Sequence, residues 1–372
     1  MKIARQHMDQ VIQATTVADI LPVVQKVIEL EHATIPPYLC GYFTIQQAST
    51  KTTEGKPTGN GLAADIIRSV VVEEMLHLTI ACNLMNALGG NPSIDSPSFV
   101  PDYPGELPFG IGDHFLVHLR SCSVAQVRDV FMKIEEPEHP IDVPVLERLA
   151  AGIAIEEDLT IGTLYMALSK KLKELEAQAQ AQGKTIFTGD GARQVVPLQW
   201  FDASEIWAIK DLKSAQAGIA LIVDQGEGTT TDPFDTSDQP AHYYRFEQIV
   251  EGKMLEPRPD DDPPYAFSGE AVALDTSKIY DMDENPKIAH YKEGTYSRRM
   301  ATQFCYNYTK LLRSLHDTFN GNPAGIDRSM GGMYELRFSA LQALETKAEW
   351  ADASKSDIKQ TGLSFEYVTV NS

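Results

Sequence analysis

The stretch VVVEEMLHLTIA, residues 70–81, places ionisable side chains inside a helical pattern of apolar residues. Its inward-facing positions recur at intervals of three or four residues: Ile67, Val70, Glu74, His77 and Ala81. Residues at this spacing share one face of a helix, so Glu74 and His77 lie in the middle of a core-facing stripe. A Glu and a His three residues apart can bind one metal ion in a helical bundle, although a buried, hydrogen-bonded Glu–His pair would leave the same pattern.

The helix that carries this stretch is predicted from about 62 to 88, because Gly89-Gly90 and Asn91-Pro92 end it. Other long helices are predicted at 19–48, 145–182 and 211–225, with shorter ones at 123–133 and from 241, and two more at 296–319 and 325–349. The sequence thus predicts a mainly α protein: a four-helix bundle with long loop insertions and additional C-terminal helices. We expect a single compound domain over 1–372, with the metal-binding bundle at 18–252 and a loop-rich extension with two C-terminal helices at 253–372.

Two other predicted helices share a short motif. Glu31 and Glu157 each begin an E-x-x-T-I segment, and each lies among apolar neighbours at helical spacing. Both carboxylates are therefore predicted to face the core. The other acidic residues of the predicted helices, including Glu29 and Glu73, are expected on solvated faces.

The fourth predicted helix supplies only part of the ligand pattern that a site for two metal ions requires. A symmetric site for two metal ions takes one Glu from each of two helices and an E-x-x-H motif from each of the other two. Here Glu227 ends the helix, within GEG at residues 226–228, and the next histidine is His242. We predict an interrupted helix in which Glu227 and His242 flank an outward loop. Asp224 competes with Glu227, because their spacing matches that of the E-x-x-H motif, and the sequence favours Glu227 without settling the choice.

These segments resemble a known family. The matching pieces are EHATIPPYL at 31–39, EEMLHL at 73–78, NLMNALGGNP at 83–92, QGEGT at 225–229 and HYYRF at 242–246. They are similar to the ferritin-like family that includes the iminophenyl-pyruvate dimer synthase domain of violacein and indolocarbazole biosynthesis. The resemblance implies the ferritin-like fold and a metal site formed by Glu31, Glu74, His77, Glu157, Glu227 and His242. We expect the protein to differ from that enzyme in having no additional large domain, and Asp224 stands where relatives favour Glu, so the substrate is not carried over.

The amino-acid composition limits the classes of binding partner that we expect. The formal charge of −20 repels phosphate backbones and anionic membrane surfaces, so neither nucleic acid nor membrane is expected as a partner. The four cysteines form no C-x-x-C pair and are predicted to be small buried side chains. The first residues contain no apolar signal or membrane span, so we expect a cytoplasmic protein.

Carboxylate and imidazole ligands suit two iron ions, with manganese as the alternative metal. We therefore expect a dinuclear non-haem oxidase or oxygenase that uses dioxygen and a small organic substrate, with amino-acid-derived compounds as one candidate class. The alternatives are an iron-oxidising or storage protein, and a metal-free structural or binding protein. A small homo-oligomer is left open. His32 is expected either at the protein surface or in contact with a metal-binding residue, without binding metal itself. Tyr38 and Tyr165 are expected either to donate hydrogen bonds to metal-binding residues or to pack in the core.

Overall fold

The computed structural model describes residues 3–110, 115–136, 161–196, 205–227, 233–260 and 265–369, and the described chain is mainly helical. We number its longer elements in chain order. The helices are α1 Arg5–Gln13, α2 Val17–Thr44, α3 Gly59–Ala87, α4 Val124–Ile134 with a π-helical turn at Val127–Phe131, α5 Ile161–Gln180, α6 Leu212–Glu227, α7 His242–Glu251, α8 Tyr296–Phe319 and α9 Ile326–Leu344. The strands are β1 Lys253–Pro257 and β2 Tyr265–Ala271.

The two longest helices, α2 and α3, begin at capped N-termini. Thr16 precedes α2, and Asp19 Oδ2 accepts a hydrogen bond of 2.9 Å from the Thr16 backbone N–H. Thr58 precedes α3, and its hydroxyl accepts one of 3.1 Å from the Gly61 N–H. Such caps satisfy backbone donors that the first helical turn leaves free, and so fix where each helix begins.

Helices α2 and α3 pack along each other and are covered on two sides. On one side α5, α6 and α7 close a bundle around the metal-ligand candidates, with α4 against α7. On the other side the α8–α9 hairpin packs, with α8 contacting α3 and α9 contacting α2. Because both faces are covered, α3 is buried over most of its length, including Glu74 and His77. The central helices therefore carry ionisable side chains at depth.

The predicted fold class is confirmed: the chain is a mainly α four-helix bundle with long loop insertions and two additional C-terminal helices. The third predicted helix ends where expected, but its first part, before Ile161, lies outside the described residues. The antiparallel pair β1–β2 was not predicted. All four cysteines are buried and free, as the sequence indicated. No helix in the described ranges is both long and apolar enough to span a bilayer.

Candidate metal centre

The first group of ligand candidates, which we call the first trio, comprises Glu31, Glu74 and His77. Glu31 comes from α2, and Glu74 and His77 come from consecutive turns of α3. The Nδ1 atom of His77 lies 3.6 Å from Glu31 Oε2 and 3.9 Å from Glu74 Oε1. Ligand atoms of all three residues lie within 4.8 Å of one another, which is close enough to share one ion.

The second trio comprises Glu74, Glu135 and His242. Glu135 directly follows α4, and His242 is the first residue of α7. The Nδ1 atom of His242 lies 2.9 Å from Glu74 Oε1 and 3.5 Å from Glu135 Oε2. Glu74 belongs to both trios, so one carboxylate stands between two potential ion positions. The rings of His77 and His242 are stacked, with centroids 5.5 Å apart.

Both histidines use Nε2 for a partner behind the site. His77 Nε2 lies 2.9 Å from Gln225 Oε1 on α6. His242 Nε2 lies 2.9 Å from Glu73 Oε2 on α3, and Arg245 Nη1 binds the other oxygen of Glu73 at 2.6 Å. Because an acceptor faces Nε2 in each case, Nε2 carries a proton, and Nδ1 is the nitrogen that would offer its lone pair to an ion once its own proton is displaced. This arrangement is typical of histidines that bind metal.

Three hydroxyl groups orient the carboxylates. Tyr165 donates a hydrogen bond to Glu31 Oε1, and Tyr38 donates one to Glu135 Oε1. Thr34, one turn beyond Glu31, lies with its hydroxyl 2.9 Å from Glu74 Oε2. Burial and the neighbouring carboxylates raise the pKa of both tyrosines well above the ordinary value, so the phenols stay protonated and remain donors.

The carboxylates and imidazoles perturb one another strongly. Burial and the charge of Glu135 raise the pKa of Glu74 to about 7. Burial alone would lower the pKa of His242, but contacts with Glu135, Glu73 and Glu74 raise it well above its ordinary value. Burial would also raise the pKa of Glu73, yet His242 and Arg245 lower it to about 2. Without a cation the trios therefore retain protons that metal binding would displace.

A small cavity adjoins the trios. Its volume is about 60 Å³, and its polar lining includes Glu31, Glu74, His77, Glu135 and Glu136. The apolar part of the lining is formed by Leu30, Ile134, Ile161, Ile222 and Val223. A single water requires roughly 10–15 Å³ measured in the same way, so the cavity has room for small molecules beside the ligands.

The donor set fits metal ions. Nδ1 of His242 is fully buried and makes no hydrogen bond to any atom of the described chain, although carboxylate oxygens surround it. A buried polar atom normally has a partner, and an ion between His242 and the carboxylates would provide one. The residues of the two trios are thus compatible with metal binding, and Glu73 and Gln225 hold the histidines in place from behind.

The structure brings four of the six predicted ligands together: Glu31, Glu74, His77 and His242. Glu157 lies outside the described residues, and so does the side chain of Glu227, the last described residue of α6. Asp224 belongs to neither trio, and its Oδ2 accepts a hydrogen bond of 3.1 Å from the Thr236 N–H. The role of each residue as a ligand remains a prediction.

Sequence reasoning missed Glu135, because the predicted short helix ended at Lys133. The expectation for Glu73 was wrong: its side chain is only 18% exposed and is paired with His242 and Arg245. His32 is not at the surface but buried, with Nε2 2.8 Å from the Tyr308 hydroxyl, and burial lowers its pKa to about 3. The signals that could have found Glu135 are Val127 and Phe131, which precede it at intervals of four residues.

Three comparisons with known proteins bear on this arrangement. A family model described as ferritin-like matches residues 24–251. The dichlorochromopyrrolate synthase of Lentzea aerocolonigenes is 25% identical over 315 residues, which cover 78% of this chain but only 28% of that protein. The crystal structure of a ferritin-like protein from Caulobacter vibrioides matches with a TM-score of 0.55 and 20% identity, covering 94% of this chain and 97% of the other. The structural match supports the fold.

Proposed function

This chain belongs to the ferritin-like family, and from that premise we propose that it is a dinuclear non-haem metal enzyme, with iron as the metal and manganese as the alternative. We propose that it acts as an oxidase or oxygenase on a small organic molecule, with amino-acid-derived compounds as the first class to test. The observation that carries this proposal is the position of Glu74, which is shared by two trios of carboxylate and imidazole groups. A carboxylate shared by two groups, each with a further carboxylate and a histidine, would suit the binding of two divalent ions.

The ligand chemistry favours iron or manganese over softer metals, because carboxylates predominate and the described trios contain no thiolate. When bound, two iron ions would supply the electrons that dioxygen reduction requires. The chain's residues would hold the ions, exclude bulk water and fix protons. Tyr38 and Tyr165 would keep one oxygen of their carboxylates occupied, and the apolar walls of the cavity would limit the entry of water.

The size of the cavity bears on the substrate. At about 60 Å³ it suits dioxygen beside the ions, whereas organic ligands usually occupy pockets of roughly 300 Å³ or more. We infer that the organic substrate binds at the mouth of the cavity and dioxygen inside it. The name of the relative from Lentzea aerocolonigenes, a synthase, supports an enzymatic role in making a small organic compound.

The test begins with metal-free protein reconstituted with Fe(II) under anaerobic conditions. After removal of excess iron, metal analysis should give two ions per chain in the native protein and fewer than one in Glu74→Gln. Asp65→Asn is the matched control, because Asp65 lies on the same helix with an exposed side chain. A native stoichiometry near zero would favour a metal-free structural or binding protein.

Oxygen uptake then separates the remaining functions. The reduced protein should consume dioxygen, and a member of a panel of amino acids and keto acids should accelerate that consumption. Uptake that depends on added Fe(II) alone, in a large shell detected by light scattering, would support iron storage instead. Indifference to dioxygen with and without the panel would contradict the oxidase proposal.

A further inference from the structure

The two trios match each other closely near the ions. Each has a carboxylate of its own, Glu31 or Glu135, and both share Glu74. Each of these separate carboxylates accepts a hydrogen bond from a buried tyrosine. Each trio also has one histidine that presents Nδ1, so the described residues of the two trios give little reason for unequal affinities.

The difference lies behind the histidines. His77 Nε2 faces the amide oxygen of Gln225 at 2.9 Å, whereas His242 Nε2 faces a carboxylate oxygen of Glu73, also at 2.9 Å. An amide oxygen offers a dipole, but a carboxylate offers a negative charge and forms a stronger hydrogen bond. The second trio therefore has a charged acceptor where the first has a neutral one.

Glu73 is held in this position from several directions. Arg245 Nη1 lies 2.6 Å from Glu73 Oε1, and Arg245 Nε donates a hydrogen bond of 2.6 Å to the carbonyl of Pro240. Asp235 lies 3.9 Å from the other side of the same guanidinium group. The arginine engages the oxygen of Glu73 that does not contact His242, so it anchors the carboxylate without displacing the histidine.

A carboxylate behind an imidazole makes the opposite nitrogen a better ligand. It accepts a hydrogen bond from the Nε2–H group, fixes the tautomer and increases electron density at Nδ1. Changing such a partner typically alters metal affinity by roughly 10–100-fold. The Gln225 amide fixes the tautomer of His77 in the same way but provides less electron density.

We propose that the two metal positions are unequal: the second trio, supported by Glu73, binds its ion more tightly and fills first, and the first trio, supported by Gln225, holds an exchangeable ion. This inference rests on the proposed function, in which the chain binds two ions. It assigns Glu73 and Gln225 as positioning residues that set the order of loading.

The test is an anaerobic titration of metal-free protein with Co(II), followed by absorbance and calorimetry. The native protein should bind in two steps separated by at least about tenfold. Gln225→Glu should strengthen the weaker step about tenfold, and Glu73→Gln should weaken the tighter step by a similar factor. Crystals prepared with one equivalent of Co(II) should show anomalous density at the second trio in the native protein. In the variant that combines Glu73→Gln with Gln225→Glu, the anomalous density should lie at the first trio.

Gln225→Glu is the decisive variant, because Glu73→Gln also removes the closest carboxylate from Arg245. Gln216→Glu, on the same helix, controls for an added charge, since Gln216 contacts Ser169 and not a histidine. Two equal steps in the native protein, unchanged by Gln225→Glu, would overturn this inference and leave the proposed function intact. A complete lack of Co(II) binding would overturn the proposed function itself.

Discussion

The site has two sides that are built differently. On the α2–α3 side, Glu31, Glu74 and His77 project from the middle of long, continuous helices. On the opposite side, Glu135 follows the last turn of α4 and His242 opens α7. Residues in the middle of a helix have their backbone bonds satisfied by the helix, whereas residues at its ends depend on contacts with other elements.

This difference shows how ligands of one site can be held by unlike means. The α2–α3 side brings its groups together by the packing of two helices, with Tyr165 as a partner of Glu31 and Gln225 as a partner of His77. The other side joins the end of one helix to the start of another, and its partners are Tyr38 for Glu135, and Glu73 with Arg245 for His242. Among the described residues, Glu74 is the one that belongs to both trios, so substitutions there and on either side should differ in how many ions they remove.

The largest effect is expected for Glu74→Gln. Because both trios share this carboxylate, the variant should lose both ions, whereas Glu31→Gln and Glu135→Gln should each lose one. Loss of a direct ligand should exceed the roughly 10–100-fold loss of affinity that follows removal of an outer partner. Metal analysis after reconstitution with Fe(II), with circular dichroism to verify helix content, measures this.

Controls for this series lie on the same elements. Asp65→Asn on α3 and Asp129→Asn on α4 change acidic side chains at exposed or partly exposed positions. Neither should alter the stoichiometry. Retention of one tightly bound ion by Glu74→Gln would show that the two positions do not share it.

The sequence predicted the α2–α3 side well for a physical reason. A helix repeats every 3.6 residues, so polar residues inside a long apolar stripe stand out, as Glu31, Glu74 and His77 do. The fold followed from the same periodicity together with the turn residues that end each helix. Both depend on local patterns that a single sequence displays.

The opposite side was harder to predict because its geometry is not local. Glu135 follows a short helix with a π-helical turn, and the predicted end at Lys133 left it out. Glu73 adjoins Glu74 and lies off the inward stripe, yet it pairs with His242 from a distant segment. Such a contact across 169 residues leaves no periodic signal in the sequence.

Removal of metal should affect stability in a pH-dependent manner. The pKa of Glu74 is raised from 4.5 to about 7 in the folded protein, so the unfolded chain loses this proton first as the pH rises. The metal-free protein should therefore lose stability between about pH 4.5 and 7, on the order of a few kcal/mol. The pKa values of His77 and His242 are also raised in the folded protein, so the metal-free protein should continue to lose stability as the pH rises above 6.5.

Melting temperatures from pH 5 to 8, with and without Mn(II), test this expectation. The stabilisation by metal should increase as the pH rises, because bound ions replace the protons. Metal-free Glu74→Gln should show a shallower decline, since it has no carboxyl group to titrate at this position. Parallel pH curves for the metal-free and metal-loaded native protein would contradict the interpretation.

A smaller effect is expected from the tyrosines. Tyr165→Phe removes the hydrogen-bond donor to Glu31, and Tyr38→Phe removes the donor to Glu135. Each variant should therefore weaken the binding of one ion roughly tenfold and leave the affinity for the other ion unchanged. Tyr103→Phe is the matched control, because this buried hydroxyl donates to the Ala33 carbonyl instead. Stepwise Co(II) titration measures both constants. Equal weakening of both ions by either variant would argue against two separately supported positions.

The smallest effect is expected for Thr34→Val on the α2–α3 side. The Thr34 hydroxyl lies 2.9 Å from Glu74 Oε2 and 3.0 Å from the Glu31 carbonyl, so its single proton is divided between these acceptors. Loss of this hydroxyl should weaken the binding of both ions equally, by a few-fold. One hydrogen bond contributes about 0.5–1.5 kcal/mol, and this one is divided between two acceptors. Thr79→Val is the control, because the buried Thr79 hydroxyl donates only to the Met75 carbonyl within α3. Valine nearly matches threonine in shape, so helix content should not change in either variant. If Thr34→Val weakened one ion alone, the bridging role of Glu74 would be contradicted, because a change at a shared carboxylate must reach both positions.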